Sequence, residues 1–223
     1  MEALDNPVWA ALSGPQAAHA DRHGRAARFD PEISPFAAVD DPTDPDAWRD
    51  LADLVGSGAP ALVAAPVVAL PPGWTETGGA PGVQLVGHAY QGEPDPEAQL
   101  LTAGDLPEIM DLVARTRPGP FRERTVALGT YLGIRRGGTL VAMAGERMRL
   151  PGHTEISAVC TDEAHRGSGL ATRLVAAVSA VIRARGEVPF LHAAADNTTA
   201  VRLYERLGFE QRTSMQFIAA AAP

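Results

Sequence analysis

A short stretch in the C-terminal half, Asp162-Glu163-Ala164-His165-Arg166-Gly167-Ser168-Gly169-Leu170-Ala171, joins a strand-like run to a helical pattern. The run before it is Glu155 to Thr161, and the pattern after it is carried by Leu170, Leu174, Val175, Val178, Val181 and Ile182 at helical spacing. Glycines at 167 and 169 let the backbone approach a ligand with no Cβ in between, and the first helical turn offers unpaired N–H groups at the positive end of its dipole. Such a site suits an anion, although two glycines also suit a plain tight turn. Two phosphate motifs fail on these residues. A Walker A loop needs Gly-Lys-Ser or Gly-Lys-Thr after four spacer residues, and a dinucleotide loop needs a third glycine where Thr172 stands.

A second pair lies farther on. Asp196 or Asn197 opens a helix that includes Ala200, Val201, Tyr204 and Leu207 and ends at Gly208. Seven residues separate Asn197 from Tyr204, almost two turns, so one helix face carries both. Taken singly, an N-cap asparagine and a core tyrosine account for them as well. Cys160, the lone cysteine, has no histidine at a useful spacing and reads as a small buried hydrophobe instead of a nucleophile. His192 reads as a strand residue and His165 as an exposed one.

The elements that must hold these residues are set by periodicity and punctuation. Pro7 to Leu12 and Asp46 to Val55 look helical, and Ala61 to Leu70 and Val83 to Tyr90 look like strands. The polar segment Gly92 to Glu97, with Pro94 and Pro96, marks a boundary, dividing the chain into domains 1–98 and 99–223. Beyond it come a helix starting at Asp105 and stopping before Pro118, and a short helix from Phe121 to Leu128. A hairpin then joins Tyr131–Arg135 to Thr139–Arg149 through Arg136-Gly137-Gly138, with further strands at 155–161 and 189–194.

At 223 residues and 45% hydrophobic, the chain can bury a sizeable core. A net charge of -8 with no basic run argues against a nucleic-acid partner. No apolar stretch is long enough to span a bilayer, and a lone cysteine fits a reducing compartment, so a cytoplasmic location is expected without membrane attachment or a metal site.

In order, Arg166-x-x-Gly169-x-Ala171, Asn197 and Leu203-Tyr204-Glu205-Arg206-Leu207-Gly208-Phe209 resemble the GCN5-related N-acetyltransferase (GNAT) superfamily, over residues 100 to 218. Glu155-Ile156-Ser157-Ala158-Val159-Cys160-Thr161 looks like its FR47 branch. The resemblance implies an α/β (α+β) fold: a mixed twisted sheet with flanking helices, in which two parallel strands splay around the pantetheine arm of acetyl-CoA. Residues 1–98 are similar to the degenerate first copy of that fold in tandem acyltransferases resembling glycine N-acyltransferase.

It further implies that the backbone of Val159, Cys160 and Thr161 meets pantetheine. Arg166, Gly167, Ser168, Gly169, Leu170, Ala171 and Thr172 hold the pyrophosphate, and Asn197 and Tyr204 complete the donor site. The expected reaction is direct acetyl transfer to a primary amine, on a small molecule or a protein. The backbone N–H of Val159 or Cys160 polarises the carbonyl. Tyr204 is the expected acid, because a phenol of pKa near 10 can protonate a thiolate of pKa near 8.5. Glu155 is the expected base, since its position resembles a glutamate base of histone-acetylating relatives. Four strand residues, roughly 13 Å, separate it from Val159, so it would act through water or at the far end of the cleft, and a solvated edge-of-strand glutamate is the other reading. Glu163 stands where many relatives carry proline, which alters only how the loop is entered. The alternative is a regulatory protein that binds acetyl-CoA without turnover.

Overall fold

A computed structural model describes residues 2–223. Along the chain run α1 (Pro7–Leu12), β1 (Ala20–His23), β2 (Ala26–Phe29), β3 (Ala37–Val39), α2 (Pro45–Val55), β4 (Pro60–Ala65), β5 (Thr75–Val86) and β6 (Gln99–Leu100). Next come α3 (Leu106–Thr116), a 3-10 turn at Glu123–Leu128, β7 (Tyr131–Arg136), β8 (Thr139–Leu150), β9 (His153–Thr161), α4 (Leu170–Ala184), β10 (Val188–Ala194), α5 (Thr198–Leu207) and β11 (Glu210–Ala221). Helix starts obey local chemistry: Asp44 caps α2 through the Asp46 amide, and Asn197 caps α5 through the Ala200 amide. The β7–β8 hairpin turns at Gly137 and Gly138, both at positive φ, as a two-residue turn of the right twist requires.

Eight strands form one sheet in the order β4-β11-β5-β10-β9-β8-β7-β6, and β1-β2-β3 form a small antiparallel one. Among the described residues, β9 and β10 are the one parallel pair of neighbours in the large sheet. Helix α4 buries Leu174, Val175, Val178 and Ile182 against Leu85, Ile134, Val141, Ile156 and Leu191 on one face. Opposite, Leu4, Val8 and Leu12 pack with Phe29, Ile33 and Phe36 against Met148, Leu150, Phe190 and Met215. Phe190 and Leu191 thus point to opposite faces, as neighbours in a strand must.

The connection at Gly92–Glu97 does not separate two sheets. Strand β5, from the first part of the chain, lies between β10 and β11 of the second and pairs with both. In place of a second copy of the splayed fold, residues 2–98 supply the three-stranded sheet, α1 and α2, and two strands to the common sheet. Strand β11 escapes sequence reading because its end, Ala219-Ala220-Ala221, lacks β-branched residues. Its pairing with β4 and β5 decides it. Similarly, the first half of β5, Thr-Glu-Thr-Gly-Gly-Ala-Pro-Gly, carries turn residues and is a strand only through β11.

Candidate active site

Strands β9 and β10 run side by side only from Val188↔His153 to Leu191↔Ile156. Both continue past that point, β9 to Thr161 and β10 to Ala194. On their outer sides they stay paired, β9 with β8 and β10 with β5. Their facing edges therefore part, leaving backbone N–H and C=O groups free along 157–161 and 192–194. A bulge marks the parting: Met143 pairs with Cys160 and Gly145 with Ser157, so β9 carries one extra residue, and Ala158 adopts φ +53. For a residue with a Cβ this is a sparsely populated conformation, held here by the strand on either side.

Beyond β9 the loop delivers Gly167 and Gly169 at φ +76 and +78, and α4 begins directly after Gly169 with no side chain capping its first turn. A Cβ at either glycine would meet nothing within 4 Å, so the backbone conformation, not crowding, demands glycine. Arg166 stands beside them in the cleft wall. The free amides of Leu170, Ala171 and Thr172 thus face a cleft of about 1130 Å³. That cleft is also lined by Val159, Cys160, Thr161, Asn197 and Tyr204. Ser168 is absent from the lining, and its hydroxyl donates to the His165 carbonyl. Asn197 Oδ1 is engaged in the cap of α5, at 3.1 Å from the Ala200 amide, which leaves its NH2 to donate. Tyr204 is buried, and burial pushes its hydroxyl up to about 12. The Cys160 thiol is buried too, and burial raises its pKa as well, against the demands on a nucleophile.

Glu155 stands otherwise than its strand position suggested. It is fully buried and absent from the cleft wall. Arg147 donates to both oxygens, Nε at 2.8 Å and Nη2 at 2.6 Å, and His192 Nδ1 lies 2.7 Å from Oε1. Burial alone would raise its pKa, but the Arg147 charge and hydrogen bonds, with those of His192, hold it at about 2. Both oxygens are thus engaged away from the cleft, which is not the setting expected of a base, and Glu155 instead holds Arg147 and His192 in place. The chain of bonds continues: Gln84 Nε2 is 3.1 Å from His192 Nε2, Arg212 Nη1 donates to Gln84 Oε1, and Arg212 pairs with Asp5. Arg147, Glu155, His192, Gln84 and Arg212 come from β8, β9, β10, β5 and β11, a polar row across five neighbouring strands. Glu155 Oε1 and Gln84 Nε2 thus engage the two ring nitrogens of His192, one from each neighbouring strand.

Arg147 and His192 do line the cleft, together with Phe36, Leu62 and Phe217. Periodicity placed His192 correctly on a strand but could not tell that its face opens onto the site. Phe36 and Leu62 come from residues 2–98, so both parts of the chain build the cleft.

Residues 131–218 match the family of FR47-like proteins. A GNAT-family protein of known structure from Novosphingobium aromaticivorans is 40% identical over the whole of both chains, with a TM-score of 0.92. The GCN5-related N-acetyltransferase from Kribbella flavida shares 18% identity over 97% of this chain and 96% of its own, with a TM-score of 0.63, a likeness of fold. The N-alpha-acetyltransferase RimI of Mycobacterium tuberculosis is 37% identical over 98 residues, 42% of this chain and 61% of RimI, so the match spans less than two thirds of that relative. The chain belongs to the GNAT superfamily of N-acetyltransferases. The FR47-like match falls on its C-terminal part, the stretch that contains β9, the glycine loop and α5.

Proposed function

We propose that the protein transfers an acetyl group from acetyl-CoA to a primary amine by direct attack within a ternary complex. The observation that carries this is the parting of β9 and β10 after Ile156↔Leu191, beside the uncapped start of α4. Free strand edges can pair with the amides of a pantetheine arm, and the α4 amides with Arg166 can take up its pyrophosphate. The Val159 or Cys160 N–H, released by the bulge, donates to the developing oxyanion. Tyr204 donates to the departing sulfur. Burial keeps its proton on oxygen, so the hydroxyl meets the developing thiolate as a neutral hydrogen-bond donor.

The amine needs to be neutral to attack. Among the described residues, the cleft lining contains no aspartate or glutamate, and it contains Arg117, Arg147 and Arg166. Like charges disfavour an ammonium, so the cleft itself lowers the acceptor's pKa, and water takes the released proton. RimI is named an N-alpha-acetyltransferase, and an α-amino group, with a reference pKa of about 7.7–8.0 against about 10.4 for a lysine side chain, suits a site that lacks a carboxylate base.

Thiol release from acetyl-CoA, measured across a panel of amines, tests the reading. Amine-dependent release supports it, and binding of acetyl-CoA with no release from any amine points to the regulatory alternative. The sequence contains no lysine, so acetylation of the protein's own amines is confined to its N-terminus and leaves a low background.

A further inference from the structure

The far end of the cleft bears on which amine enters, and its role as an acceptor pocket rests on the acetyl-transfer reading. Although the chain carries 27 acidic residues, none of those described reaches the cleft wall. An acceptor bearing only positive charge finds no counter-ion there. Arg147, by contrast, has capacity in reserve. A guanidinium carries five N–H donors. Two of them, on Nε and Nη2, are spent on Glu155. Nη1 makes no hydrogen bond among the described residues and is not sealed from solvent, so the edge formed by Nη1 and the second Nη2 hydrogen is unspent.

That guanidinium is also held in place. Glu155 grips one edge from within the sheet, and the Phe36 ring lies against it at 4.8 Å. Phe217 stands beside both Phe36 and His192, at 6.3 and 5.4 Å between ring centroids. A fixed, planar, partly desolvated cation with a free bidentate edge and apolar walls around it is a receptor for a carboxylate attached to a hydrocarbon.

We infer that the acceptor is an amino acid, an amine that carries its own carboxylate, and that Arg147 receives that carboxylate. Phe36, Leu62 and Phe217 cover the hydrocarbon portion. Glu155 positions Arg147 and fixes its plane. The molecule enters as a zwitterion with its carboxylate on Arg147. Arg117 and Arg166 remain to disfavour the ammonium, and water takes the amine's proton once it is bound.

Matched pairs of acceptors test this on the unaltered protein: phenylalanine with phenethylamine, leucine with isoamylamine, and 6-aminohexanoate with hexylamine. The member with the carboxylate is expected to show a kcat/KM at least about tenfold higher, as a lost charge-assisted bidentate contact implies. Arg147→Lys, which keeps the charge and loses the fork, is expected to reduce that preference mainly through KM for the acid. The pair comparison does not depend on how well the variant folds. Equal or better turnover of the plain amines overturns the inference and leaves acetyl transfer standing. No thiol release with any of the six overturns the inference, while acetyl transfer falls only if no amine of the wider panel gives release.

Discussion

Glu155 lies one strand face and four residues from Val159, within the same β9, yet its chemistry is set by Arg147 from the next strand and His192 from the strand on the other side. Because its carboxyl is held at about 2, against 4.5 for the free side chain, the folded state favours the ionised form. Its contribution to stability is therefore complete above about pH 4.5 and is lost as pH falls toward 2. Glu155→Gln should flatten that acid limb, measurable as unfolding free energy by urea titration between pH 2 and 6. Glu155→Ala should cost about 3–5 kcal/mol at neutral pH, because it leaves a buried guanidinium uncompensated. Tyr204 carries the opposite expectation. Tyr204→Phe keeps the buried ring and removes the proton donor, so turnover should fall roughly 100-fold with acetyl-CoA affinity little changed, as pre-steady-state binding and kcat would show.

At the scale of elements, the site is made by what strands and helices do not complete. Strand β9 has free edge groups because a bulge at Ala158 turns it away from β10, and α4 has free amides because Gly169 offers no cap. Gly169→Ala finds open space for its Cβ but forces a left-handed residue, at a cost of about 1–2 kcal/mol, and should weaken acetyl-CoA binding by disturbing the loop. Gly169→Glu adds a negative charge to the same place and should abolish binding, as read by calorimetry. Asn197→Ala removes the α5 cap and should lower stability by about 1 kcal/mol, seen as a shifted denaturation midpoint.

For the whole molecule, the decisive feature is β5, which fills the place between β10 and β11. A fragment of residues 99–223 would leave facing strand edges unpaired and the Phe190 and Met215 face uncovered. Such a fragment is expected to be insoluble or to lack cooperative unfolding by circular dichroism. Co-expression with residues 1–98 should restore a soluble complex, and the intact chain should unfold in one transition. Because Phe36 and Leu62 line the cleft, changes in the first part of the chain are also expected to alter acceptor choice.

Residue order alone determined the parts whose physics is local. The loop glycines, the α4 and α5 patterns, the cap at Asn197 and the β7–β8 hairpin all arise from backbone freedom, spacing of three and four, and short hydrogen bonds. The loop and helix that line one side of the cleft were legible for that reason. Tertiary structure decided the rest, where the partner lies far along the chain. Whether Thr75–Val86 and Glu210–Ala221 are strands depends on their mutual pairing, and whether Glu155 meets solvent depends on Arg147 and His192. The cleft wall around Arg147 and His192 is built from such contacts, Phe36 against Arg147 and Phe217 against His192, which no local pattern encodes.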